Sequence, residues 1–148
     1  SDLVQSIDIM PTVLAAAGVP EEARGLPGIN LLPSASGQAA LPNRPAFGEI
    51  YPNDARELDD PASEVSFVWV REGTLKLIEA RNASDAQAAN RKALPRLQLF
   101  DLASDPNEQH NLTDRPDRAG DVRRLQTLLR QWWPAAFAKR ENAETKKD

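Results

Sequence analysis

Two apolar periods divide this chain. Between residues 6 and 18, Met10, Val13, Leu14 and Ala17 recur at i, i+3, i+4 and i+7, which lays them along one helix face. Asp8 is the best N-cap, since Pro11 then stays in the first turn where its missing N–H costs least, and Gly18 closes the helix. From residue 46 the period drops to two. Ala46 to Ile50 reads as a short strand. Val65 to Arg71 places Val65, Phe67 and Trp69 on one side and Val68 and Val70 on the other, so a central strand covered on both faces is expected. Glu72-Gly73 signals a tight turn, with Thr74 to Glu79 returning as the second arm of a hairpin. Leu97 to Leu102 supplies a further strand. The helical period then returns: Val122, Leu125, Leu129, Trp132 and Ala136 step by three and four from a start at Asp117 or Asp121, and Leu128 widens the stripe. Pro134 predicts a stop near Trp133, with Trp132 expected in the core.

The intervening stretches carry neither period. Pro20, Pro27, Pro33, Pro42 and Pro45 mark residues 19–45 as an irregular connector. Residues 80–95 are polar and alanine-rich, and residues 139–148 form a charged tail expected to be mobile. The pattern predicts an α+β fold, a small antiparallel sheet of about four strands packed against a C-terminal helix. Its expected divisions are a helix in 1–18, the connector 19–45, an α+β domain 46–138 and the tail 139–148.

The last strand runs into a turn rich in capping chemistry. Asp105 is suited to cap a helical first turn, Pro106 presets φ at the first helical position, and Glu108 is spaced to reach back in a capping box. Asn111 suits a left-handed exit, and Leu112 returns toward the core. These residues read as a structural joint.

Composition narrows the chemistry. The formal charge is −4 over 148 residues, which argues against a nucleic-acid partner. The chain has no cysteine and one histidine, His110, so disulfides, thiolate metal sites and histidine-pair catalysis are excluded within it. No apolar run approaches membrane-spanning length, so no membrane partner is expected. Asp59-Asp60 is the one adjacent carboxylate pair that suggests a cation, but it sits in a polar loop before Pro61.

Four segments, in order, resemble one family. Asp8-Ile9-Met10-Pro11-Thr12 through Ala17-Gly18 comes first, followed by Gly28-Ile29-Asn30-Leu31-Leu32-Pro33. Next is Arg71-Glu72-Gly73 with Lys76-Leu77-Ile78. The most complete is Leu99-Phe100-Asp101-Leu102, Asp105-Pro106-Asn107-Glu108 and Asn111-Leu112. Together they resemble the C-terminal portion of type I, formylglycine-dependent sulfatases, arylsulfatase-like enzymes of the alkaline phosphatase superfamily. Asn30 departs from the serine usual in the second segment.

The resemblance implies a sulfuric ester hydrolase as parent, periplasmic or secreted, using a formylglycine and a divalent cation, calcium. The formylglycine would come from a Cys/Ser-x-Pro-x-Arg motif that this chain lacks, so no cofactor and no catalytic or metal residue is expected in the chain itself. The N-terminal helix would then belong to a missing catalytic domain, which is the implied partner. Its apolar face, left uncovered, also suggests a homodimer. Substrate-rim candidates are Glu49 and Tyr51, at the end of the first strand, and Arg56 in the following loop. Related phosphonate or phosphate ester chemistry, and a stand-alone binding module, are the alternatives.

Overall fold

The computed structural model describes residues 3–20, 25–51, 59–81, 95–134 and 136–137. The chain divides into two units, Ser1–Ala46 and Phe47–Asp148. The polar loop after residue 81 and the charged tail fall outside the described residues, apart from the loop's last positions, 95 and 96.

In the second unit Gly73, at φ +59, turns β2 (Phe67–Glu72) into β3 (Leu75–Ala80). Thr74 belongs to this turn and not to the strand. The hairpin is antiparallel from Phe67 opposite Ala80 to Glu72 opposite Leu75. β4 (Leu97–Asp101) pairs antiparallel with β3, Leu99 lying opposite Leu77. β1 (Ala46–Ile50) borders β2, giving a four-stranded antiparallel sheet in the order β1-β2-β3-β4.

Register explains the core. Val70, Leu77 and Leu99 are cross-strand partners on one face, and each is fully buried, as is Val68. A helix, Ala119–Trp132, covers this face with Leu125 and Leu129, both fully buried. Withdrawing such side chains from water contributes about 1.5–3 kcal/mol apiece. A 3-10 turn at Pro116–Arg118 leads into the helix, which ends at Trp132, before Pro134 would delete a donor and clash with the preceding turn. Val65 departs from strict alternation. It joins the buried cluster of Val68 and Val70 because the chain is not yet in the strand at Val65-Ser66. Trp132 also departs from expectation, being 38% exposed with its ring stacked on Phe47 at 5.0 Å.

The first unit is organised differently. A 3-10 turn at Ser6–Asp8 continues into α1 (Ile9–Ala16), and within the connector Leu32–Ala35 forms one further helical turn, α2. The helix over Ala119–Trp132 is therefore α3. Asp8 is the N-cap of α1 by position, yet its carboxylate makes no capping bond to that helix. It accepts the N–H of Gln5 (2.8 Å) and of Ile29 (2.9 Å), and it pairs with Arg44. Thr12 donates to the Asp8 carbonyl (2.6 Å) and accepts the Leu31 N–H (3.0 Å). Gly28, at φ +97, lies so close to Ile7 that a Cβ would stand 2.3 Å from its carbonyl oxygen, so only glycine fits.

Candidate functional site

β1 carries the strand-end candidates. Gly48 lies under the Trp69 ring, where a Cβ would stand 2.5 Å from ring carbons, and this close approach fixes how β1 sits against β2. Glu49 is exposed, and Tyr51, one residue past the strand, is partly buried against the core. Burial pushes the Tyr51 phenol above its usual 10.0, and the charges of Glu49 and Glu64 push it further. The structure thus gathers Glu49, Tyr51 and Glu64. Sequence reading passed over Glu64, since nothing local ties it to residues fifteen positions back. Arg56 lies outside the described residues. At neutral pH the phenol is a donor and the carboxylates are acceptors, an array suited to hydroxyl groups; it contains no nucleophile–base pair.

The joint after β4 forms no helix, so the expected capping box is absent. The Asp105 carboxylate instead accepts the N–H groups of Gln109 (3.1 Å) and His110 (2.8 Å), which hold it below its ordinary 3.8. Glu108 points away from Asp105 and bonds Lys76 Nζ at 2.6 Å, and it, rather than Asn111, takes the left-handed conformation, at φ +55. Pro106 is exposed in the turn. Asn111 Oδ1 accepts the Leu99 N–H at 2.9 Å, and its Nδ2 donates to the Leu97 carbonyl at 3.1 Å. Leu112 then donates its N–H to the Leu99 carbonyl at 2.8 Å. His110 is 81% exposed, its Nδ1 3.6 Å from Asp105.

A third polar group lies beneath α3. Glu79 is 1% exposed on β3 and accepts from Gln126 at 3.0 Å, with Arg81 at 3.6 Å and Arg130 at 3.9 Å. Phe137 lies under both guanidinium groups, 4.0 Å from Arg81 and 5.1 Å from Arg130. Its only sequence signal was a charged residue at an inward position of the strand.

Among the described residues no three histidines, cysteines or carboxylates are placed to hold a metal ion. Asp59 is exposed in a turn, and the Asp60 carbonyl accepts from the Ser63 hydroxyl at 2.7 Å. The described donor set therefore does not fit a calcium centre.

No protein-family model matches this sequence, and no curated protein matches it. Solved structures do match its fold. The glucosamine sulfatase BT4656, solved with its substrate D-glucosamine-2-N, 6-O-disulfate, superposes with a TM-score of 0.62 at 22% identity over 95% of this chain and 25% of its own. The phosphonate monoester hydrolase SpPMH of Silicibacter pomeroyi gives 0.59 at 24% identity, over 88% of this chain and 25% of its own. The phosphonate monoester hydrolase of Agrobacterium radiobacter gives 0.53 at 25% identity, over 84% and 24%. The chain spans about a quarter of the length of these proteins and has the fold of that portion of sulfatases and phosphonate monoester hydrolases, members of the alkaline phosphatase superfamily.

Proposed function

We propose that this chain is the C-terminal part of a sulfatase-like sulfuric ester hydrolase, completing that enzyme's fold and catalytically incomplete in itself. The carrying observation is the match of 95% of the chain to 25% of a sulfatase, joined to the four ordered sequence segments. The first-unit helix is then the last helix of the catalytic domain, residues 19–45 connect it, and the domain from residue 46 closes the fold. The nucleophile, as formylglycine, and the divalent cation belong to the remainder of the enzyme. In this reading Glu49 and Tyr51 stand at the rim of the substrate site with Arg56, where the phenol and the carboxylate orient hydroxyl groups of the substrate.

The phosphonate monoester hydrolase matches favour a second reading of the parent, with the same architecture and a phosphorus ester as substrate. One experiment addresses both. The coding sequence preceding Ser1 is read for a Cys/Ser-x-Pro-x-Arg motif, and the complete protein is assayed on aryl sulfates and on phosphonate monoesters. Sulfate turnover at least as fast as phosphonate turnover is expected, with Tyr51→Phe raising KM more than it lowers kcat. Absence of the motif overturns the hydrolase reading. Preference for phosphonates selects the second parent.

A further inference from the structure

The first unit wears its apolar side chains outside and its polar ones inside. The Asp8 carboxylate is fully buried, holding Gln5, Ile29 and Arg44, and Thr12 bonds inward to Leu31. Around this polar centre Val4, Ile7, Ile9, Met10, Val13 and Val19 are 40–59% exposed. Helical spacing sorts α1 cleanly: Ile9, Met10, Val13 and Ala16 face outward, whereas Pro11 is buried and Leu14 partly so. From Ile9 to Pro20 there is no charged residue. Isolated apolar residues on a surface are ordinary, but a contiguous uncharged face over a polar interior is not, and it calls for an equally apolar partner.

Resting on the reading above, we infer that the outward face of α1, centred on Met10 and Val13, docks intramolecularly against the catalytic body of the same hydrolase polypeptide. The occupant follows from length. A match over 95% of this chain cannot omit the 46 residues of the first unit, and in the matched sulfatase that match takes up only 25% of the polypeptide. The rest of such a polypeptide is tethered to this face, at an effective concentration no free partner reaches. The polar staples to Ile29 and Leu31 hold α1 in shape, so docking spends little energy on ordering it.

Met10 is the sole methionine of the chain and reports on its own burial. Peroxide oxidation of Met10 is followed by peptide mass in the native complete protein, in the same protein in urea, and in the 148-residue chain at several concentrations. Docking predicts oxidation about tenfold or more slower in the native complete protein than in urea. The 148-residue chain should oxidise at the urea rate at every concentration. Equal rates for the native and urea-treated complete protein overturn the docking while leaving the hydrolase reading intact. Protection in the short chain that grows with concentration assigns the face to a second copy and overturns it equally. A preceding sequence without the nucleophile motif defeats the hydrolase reading instead.

Discussion

Asn111 stands beside Leu99 as a neighbouring strand would. Its Oδ1 takes the Leu99 N–H at 2.9 Å while its Nδ2 donates to the Leu97 carbonyl at 3.1 Å. A primary amide presents an acceptor and a donor side by side, as a peptide group does, so one side chain satisfies two backbone groups on the outer edge of β4.

Asn111→Ala frees both backbone groups to water and is expected to destabilise the domain by about 1 kcal/mol. Asn111→Asp keeps the acceptor but sets a carboxylate oxygen against the Leu97 carbonyl, and it should cost at least as much. Urea midpoints at constant m-value report both.

Asp8→Ala removes the buried partner of Arg44 together with two backbone acceptor contacts. Breaking such a pair costs about 3–5 kcal/mol, and the lower end applies because Arg44 is 21% exposed. Hydrogen exchange at the Ile29 amide should accelerate strongly, while the Leu99 amide in the sheet keeps its protection.

Glu79→Ala leaves Arg81 facing a vacated, desolvated position and is expected to cost about 3 kcal/mol. Arg130→Ala, on a side chain 49% exposed and 3.9 Å from the same carboxylate, should cost less than about 1 kcal/mol. Equal losses would show that the two arginines share the charge evenly.

Asp105 is held below 3.8 chiefly by the Gln109 and His110 amides, so its folded carboxyl binds a proton less readily than in the unfolded chain. Its stabilising contribution is complete above the unfolded value and disappears as pH falls through the lower folded value. The gap in urea midpoint between wild type and Asp105→Ala should therefore be flat above about pH 5 and close as pH drops below 3.8.

Tyr51 shifts the other way. Folding favours its neutral phenol through burial and the charges of Glu49 and Glu64, so its contribution is present below 10.0 and lost as pH rises through the higher folded value. Ultraviolet titration should show the tyrosinate appearing above pH 10.0, and earlier in Glu49→Gln, where one repelling charge is gone.

The sequence by itself determined the periodic elements. Alternation in Val68, Val70, Leu77 and Leu99 and the three-and-four steps of Leu125 and Leu129 each encode one buried face, because side-chain direction follows directly from backbone period. Proline and glycine placed the ends of α1, the β2–β3 turn and the stop of α3, since their backbone restrictions act locally.

What only the tertiary structure decided concerns polar groups with distant partners. Asp8 looked like a helix cap and became the anchor of residues 21 and 36 positions away. Asp105 and Glu108 had the spacing of a capping box, yet the Lys76 ammonium on a neighbouring strand drew Glu108 away and the turn never became a helix. Glu79 found Gln126 beneath α3, 47 residues downstream. Trp132 fitted the buried stripe but lies at the end of the helix, where the Phe47 ring covers it incompletely. An apolar side chain needs only a direction to be placed, whereas a carboxylate or an amide needs a particular partner, and that partner is set by which elements the fold brings together.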